Sequence, residues 1–474
     1  MARMALIAAR DLSGLKEFTA RIAQAHGYRI VTVRELEQEE IESHETIDWP
    51  EARRRIREGK VSLMVANYFD VSTVGRDRLS WKTALSEFDH GIVDLIRLAA
   101  RKPDSLGLVG NPLSYPKVLD ELDANDGLLG RAFRLEQACA GLQASAEFDA
   151  SVAAYLETHG GDVPDVDALS GFPKSIRFVW KRALSLEQGD TPRQKAALYG
   201  NFFDHFELKR GPEIDYACAV DLSAGVHAIG DFEKPTAILV KNGALWSAAC
   251  SSSVSEAIGK ILEDGAGDIR GAMLIVNGSL ASDDLAGFDA GAIETVLAPA
   301  FPSEGGLDGL RLLASREGLG YEALQEVMSV AGGALVQDRN RIAVNPFSWR
   351  LSSLAQPMVD QWDDMIFGVK LSRHLRSDAC LAVKGERLIA KATNLPSQSL
   401  AWSRLSESPN SLAKAILVFD SDIEKTDTLI RARESGCDVV VHPGVDSEAE
   451  AALLEQANTL GLALVSTGVS FRKL

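Results

Sequence analysis

Short apolar runs separated by helical stretches recur along the whole 474-residue chain, and that alternation admits few folds. Met4–Ala9 is apolar, Tyr28–Val33 and Leu106–Gly110 are strand-like, and Val61–Ala66 is a short apolar run suited to a buried parallel strand. Between them the spacing changes to that of helices. From about Gly14 to Ala25, Leu15, Phe18, Ile22 and Ala25 fall on one face, with Ser13 placed to cap the start and Gly27 to end it. Further helical stretches run over Trp49–Glu58, Trp81–Ala100 and about 117–158, the last including the Ala-rich Ala138–Ala154. Strands buried on both faces and alternating with helices make an open, mostly parallel α/β layer. The Gly/Pro/Asp-rich stretch His159–Asp167 reads as a linker. Strand-like Ile176–Trp180 follows it. Past about Thr191 a second α/β region begins, with strands expected at Ala237–Val240, Ala272–Val276, Thr295–Ala298, Leu381–Val383, Ala415–Phe419, Val439–Val441 and Ala463–Val465.

Composition narrows the function. A formal charge of −17 repels phosphate backbones, so nucleic acid is not expected as a partner. No stretch approaches the roughly 20 apolar residues of a membrane span, and the N-terminus reads as a strand rather than a signal, so a cytoplasmic protein is expected. The five cysteines form no C-x-x-C pair and the eight histidines are scattered, so no metal site is expected. There is no phosphate-binding G-x-x-x-x-G-K-[ST], no G-x-S-x-G and no H-E-x-x-H. Ser253–Glu256 has the pattern of a helix capping box.

Several segments, read in order, are similar to one family. Gly189, Pro192, Arg193 and Gln194, followed by Ala196 and Tyr199, resemble its R-Y-G-E-N-P-H-Q…A-x-x-Y run. Lys241 ends a strand where the family has V-K-H. Gly332-Gly333-Ala-Leu335-Val-Gln337-Asp338 is similar to G-G-x-L-x-Q-D. Arg376-Ser377-Asp378-Ala379 stands where it has K-S-N-A, and Pro443-Gly444 where it has P-G-G-S. Asp11…Gly14…Glu17-Phe18, Asp89-His90-Gly91 and Leu119–Gly127 continue the match at the N-terminal end. The chain thus resembles the bifunctional purine-biosynthesis (AICAR transformylase/IMP cyclohydrolase, PurH) family as a strongly diverged paralogue. The resemblance implies a methylglyoxal-synthase-like domain over 1–158, a linker over 159–190, and a transformylase region of two cytidine-deaminase-like halves, 191–345 and 346–474. It also implies a homodimer, a small-molecule substrate, and 10-formyltetrahydrofolate as donor.

The departures fall on chemistry. The family's phosphate-gripping S-T-G-G-T reads Thr32-Val33-Arg34-Glu35-Leu36, which lacks the glycines of an anion nest. Its tyrosine aligns with Phe69, with Tyr68 one residue away, and its lysine with Arg101, which cannot act as a neutral base. Asp89 is kept, and His90 beside it is a candidate acid/base in the N-terminal site. In the transformylase region Lys241 is kept, but the histidine is Asn242, able to donate to an oxyanion and unable to take a proton. The folate-binding asparagine is Asp378, the substrate-binding R-Y is Glu187-Gln188, and the aromatic run becomes Phe419–Asp427. By resemblance, Lys241, Asn242 and Asp378 are the catalytic candidates, and Gln337, Asp338, Gly332, Gly333 and Arg193 the substrate-binding ones. Three readings stand: a one-carbon transferase on an acceptor other than AICAR, without cyclohydrolase activity; a non-catalytic scaffold or regulator; or a new folate-independent reaction on the same fold.

Overall fold

The computed structural model describes residues 3–34, 41–42, 45–68, 85, 88–159, 172, 175–263, 269–289, 291–302, 309–316, 325–340, 342–408, 410–444 and 447–473. These form two compact units, Met1–Val179 and Trp180–Leu474.

In the first unit β1 (Arg3–Ala9), α1 (Leu15–His26), β2 (Tyr28–Val33), β3 (Glu45–Ile47), α2 (Trp49–Arg57), β4 (Leu63–Asn67), α3 (His90–Ala100), β5 (Gly107–Val109), α4 (Tyr115–Ala124) and α5 (Arg131–His159) follow in order. The sheet order is β3-β2-β1-β4-β5, and every pairing is parallel. Parallel strands need crossovers, and helices cover both faces: Leu15, Phe18 and Ile22 of α1 on one, Ile92, Leu95 and Ile96 of α3 on the other. Two local readings change. The α1 N-cap is not Ser13 but Gly14, in the left-handed region and without a side chain to cap the helix, while the Ser13 N–H meets the Asp11 carboxylate. The edge strand β3 was hidden by its length of three residues. Residues 81–84 lie outside the described residues.

The second unit opens with the hairpin β6 (Arg182–Leu186) and β7 (Ala196–Tyr199); the apolar run Ile176–Trp180 is not a strand. Then come α6 (Phe202–His205), β8 (Phe206–Arg210), α7 (Tyr216–Ile229), β9 (Thr236–Lys241), β10 (Ala244–Cys250), α8 (Val254–Glu263), β11 (Ala272–Val276), β12 (Ile293–Ala298) and β13 (Arg311–Ser315). A hairpin of β14 (Gln325–Val330) and β15 (Gly333–Asp338) separates these from β16 (Arg350–Leu351), α9 (Gln361–Ser372), β17 (Cys380–Val383), β18 (Leu388–Ala392), α10 (Gln398–Ser406), β19 (Ile416–Phe419), α11 (Asp427–Glu434), β20 (Val439–His442), α12 (Ser447–Leu460) and β21 (Ala463–Ser466).

The unit is a duplication. One sheet runs β10-β9-β11-β12-β13-β8; the other, read from its far edge, runs β18-β17-β19-β20-β21-β16, the same succession with the same parallel and antiparallel pairings. Side chains repeat at one constant interval along the chain. Asp221 on α7 accepts from the Gly243 N–H, and its counterpart Asp364 on α9 accepts from Gly385 (2.8 Å) and Glu386. Asn277 Oδ1 accepts from the Thr236 N–H at 2.8 Å, and Asp420 Oδ1 from the Ala379 N–H at 2.9 Å. Lys241 Nζ donates to the Gly271 carbonyl at 2.7 Å, and Lys384 Nζ to that of Ala413 at 3.1 Å. Gly225 and Gly368 let α7 and α9 press onto the sheets, where a Cβ would strike Ile275 and Val240 in one half and Val418 and Val383 in the other. One apolar core joins the facing sides of both halves.

Overpacking such a contact costs about 1–3 kcal/mol. Gly225→Ala is therefore expected to lower the unfolding free energy by roughly that amount in a denaturant titration, and an unchanged midpoint would contradict the packing described.

Candidate active site

Lys241 is the last residue of β9, and the chain turns back at once. Asn242 and Gly243 form a two-residue loop with φ of 52° and 70°, and Lys241 pairs with Ala244 across it. Positive φ at both central residues is the requirement of a type I′ hairpin, for which Asn-Gly is the favoured pair. The identity of residue 242 thus follows from the turn. Beneath the hairpin Asp221 is only 5% exposed, and its Oδ1 accepts from the Gly243 N–H.

These residues open onto a cavity of about 690 Å³. Its walls come from the end of β6 (Glu187, Gln188), the start of α7 (Asp215–Cys218), the hairpin, Gly271 before β11, Glu294 on β12 and Arg311 at the head of β13. Since β11, β12 and β13 are parallel and β9 runs against them, all these groups meet at one edge of the sheet. Charges alternate across the floor. Asp215 accepts from Arg311 (2.6 Å), whose other nitrogens reach Thr295 Oγ1, the Pro212 carbonyl and, at 4.0 Å, Glu294. Gly271 has φ of +64°, and a Cβ there would lie 2.9 Å from Glu294 Oε2 and 3.1 Å from Lys241 Nζ, so glycine keeps the floor open between these two groups. Burial raises the Asp221 carboxyl above its ordinary range, against the Gly243 N–H and Lys241, which lower it. Burial likewise pushes the Cys218 thiol up to about 11, so it is no nucleophile at neutral pH.

The other candidates are dispersed. Arg193 lies in the exposed β6–β7 turn, outside the cavity lining. Gly332, with φ of +83°, makes the β14–β15 turn; Gly333 pairs with Val330, and Gln337 donates to Glu326 at 3.0 Å on the exposed face of the same hairpin, where Asp338 pairs with Gln325. Asp378 belongs to the second half. It accepts from Arg472 at 3.0 Å and neighbours Asp420, which burial raises and the Ser377 hydroxyl and Ala379 N–H lower. In 419–427, Phe419 and Ile423 are buried in the core.

In the first unit, Asp89 and Arg101 cap opposite ends of α3, about 18 Å apart along the axis of an eleven-residue helix. Asp89 accepts from Arg10 at 2.8 Å, and exposed His90 contacts the Phe148 ring. Thr32 and Val33 are buried in β2, and the Tyr68 hydroxyl donates to the Ala144 carbonyl at 2.5 Å. Glu35, Leu36 and Phe69 lie outside the described residues. Among the described residues no cluster of His, Cys, Asp or Glu has the arrangement of a metal site, and no helix is long and apolar enough to cross a membrane.

Sequence reading missed Asp221, Glu294 and Arg311. Asp221 had a signal: it is the one carboxylate inside helix α7 and sits among its buried positions Cys218, Leu222 and Gly225.

The profile of the family described as AICARFT/IMPCHase bienzyme matches residues 99–397. The bifunctional purine biosynthesis protein PurH of Chlorobaculum parvum is 26% identical over 86% of this chain and 80% of its own. The protein of that name from Synechococcus sp. is 25% identical over 99% of both. A solved structure of ForH is similar over 32% of this chain and 97% of its own, with 18% identity and a TM-score of 0.26.

The raised Asp221 carboxyl has a signed consequence. The folded protein holds this proton at pH values where the unfolded chain, at its ordinary 3.8, has released it. Its contribution to stability is thus fullest below 3.8 and is lost as pH rises through the folded value. Asp221→Asn cannot ionise, so its stability relative to the parent should increase from pH 3.8 towards neutrality. A difference that does not vary with pH in paired melts would contradict the assignment.

Proposed function

This chain belongs to the AICARFT/IMPCHase bienzyme family, and from that premise we propose that it is a folate-dependent one-carbon transferase acting on an amine other than AICAR, without IMP cyclohydrolase activity. The observation that carries the reading is Lys241 on the floor of a cavity large enough for a small ligand, with a buried carboxylate beside it. Leu186, Ile214, Val220 and Met273 offer apolar surface there for a pterin ring. 10-Formyltetrahydrofolate, when bound, supplies the formyl group.

Formyl transfer makes a C–N bond to the acceptor amine and breaks the bond from the formyl carbon to the donor's N10. The amine sheds a proton and the departing N10 gains one. Asp221 takes the proton in this reading, the role that Asn242 cannot fill. Lys241 Nζ, held by the Gly271 carbonyl, directs its remaining donors into the cavity, where negative charge develops on the formyl oxygen. Among the described residues the N-terminal site offers no such set: the Tyr68 hydroxyl donates to a backbone carbonyl, and Thr32 and Val33 are buried within β2.

We read the five-stranded parallel unit as methylglyoxal-synthase-like and the duplicated unit as two cytidine-deaminase-like halves, divided as 1–158, 159–190, 191–345 and 346–474. A cytoplasmic homodimer goes with this reading. The exposed Val327, Met328 and Leu335 on the β14–β15 hairpin supply apolar surface for a second copy.

A second reading, a non-catalytic scaffold, is favoured by one observation: Lys384 repeats the Lys241 contact in the other half, so that contact by itself is architectural. The repeat supplies its own control. With 10-formyltetrahydrofolate and a panel of amines, Lys241→Met is expected to lower turnover by roughly 10²–10³-fold, whereas Lys384→Met leaves it close to the parent. Equal effects of the two variants, or no turnover with any amine, would support the scaffold. Formation of IMP from formyl-AICAR would contradict the loss of cyclohydrolase activity.

A further inference from the structure

We propose that the Lys241 cleft admits a cationic, phosphate-free amine and rejects phosphorylated acceptors; as a statement about the acceptor this rests on the transferase reading above. Six carboxylates line the cavity (Glu187, Asp190, Glu213, Asp215, Asp221 and Glu294) against two cations, Lys241 and Arg311. One of the two cations is spent. Arg311 is 3% exposed, and its nitrogens are committed to Asp215, Thr295 and Pro212. The other, Lys241, already gives one hydrogen to Gly271.

The feature best suited to a phosphate is also taken. The N-terminus of α7 opens on the cavity, where helix N–H groups would favour an anion. Asp215 occupies that place as the N-cap, accepting from the Cys218 N–H at 2.7 Å. A phosphate would have to displace this carboxylate and then face the other five.

A cation meets the opposite situation. Asp221 is more than nine-tenths buried and lines the cavity; its Oδ1 is used by the Gly243 N–H, and among the described residues no hydrogen bond reaches Oδ2. A cavity-lining carboxylate on a buried side chain, with one oxygen that no protein donor reaches, is a place for a ligand N–H. Glu294 lies across the open floor at Gly271. Glu187, Asp190 and Glu213 are exposed at the mouth, where they raise the local concentration of cations. Glu187 and Gln188 also stand where the resemblance places the family's substrate-binding Arg-Tyr, so the charge has reversed at a position that lines the cleft. The acceptor then carries an ammonium or guanidinium that is held by the carboxylates, and a second nitrogen, presented to Asp221 and Lys241, that reacts as the free amine.

The test is isothermal titration calorimetry of the full chain with agmatine and, separately, ribose 5-phosphate. Agmatine is expected to bind one site per chain, with affinity falling roughly tenfold in Glu294→Gln, an exposed position whose change leaves melting unaltered, and falling again in Glu213→Gln/Glu294→Gln. Ribose 5-phosphate is expected to give no saturable heat. Binding of ribose 5-phosphate that survives in the parent, absence of agmatine binding, or agmatine binding indifferent to both variants would overturn the proposal. A folate analogue titrated into the same samples reports on the transferase reading separately, because agmatine binding does not require it.

Discussion

The hairpin that carries Lys241 rests on a carboxylate. Asp221 is the one carboxylate inside helix α7 and accepts the N–H of Gly243, and this bond couples the helix that packs under the sheet to the turn at its edge. Asp364 repeats the arrangement in the second half and accepts from two N–H groups instead of one. A buried carboxylate left without donors carries a large desolvation cost, so each aspartate fixes where its hairpin must lie. Gly225 and Gly368 allow the helices to come close enough for this. The position of Lys241, and with it the cleft, depends on that close approach.

The repeated topology lets the two halves be compared position by position. Matching positions keep the same architecture: the aspartate, the lysine on a carbonyl, the polar side chain bridging to the start of the first strand. What is particular to the first half is a buried arginine at the head of a central strand, paired with Asp215. Arg311 heads β13, whereas β21 in the second half begins with buried Ala463. The array Asp215, Arg311, Glu294, Lys241 and Asp221 therefore belongs to the first half alone among the described residues, and it is where a ligand would find both donors and acceptors.

Most strands were legible in the sequence because their burial on both faces left uninterrupted apolar runs, as in Ile238–Val240 or Val439–Val441. Glu45–Ile47 was not, since three residues with an exposed Thr46 carry no run. Ile176–Trp180 misled in the other direction, an apolar run that stays outside the sheets. In the site, Lys241 was found through resemblance alone. Asn242 was read for its chemistry, although the pair Asn242-Gly243 between two apolar runs is itself a hairpin signal that accounts for both residues. Glu294 and Arg311 were out of reach, because single charges at strand ends look like any solvated loop until the sheet brings three strand ends together. The N-terminal candidates show the limit of reading along the chain: Asp89 and Arg101 are close in sequence and separated by the full length of a helix.

A transferase of this design must receive the formyl donor in the Lys241 cleft. The direct measurement is a structure of the protein soaked with a non-reactive 10-formyl analogue of tetrahydrofolate. The expected result is the analogue in the cavity bounded by Lys241, Asp221 and Glu294, with its formyl oxygen in hydrogen-bond reach of Lys241 Nζ. An analogue bound elsewhere, or a cavity that stays empty at saturating concentration, would contradict it.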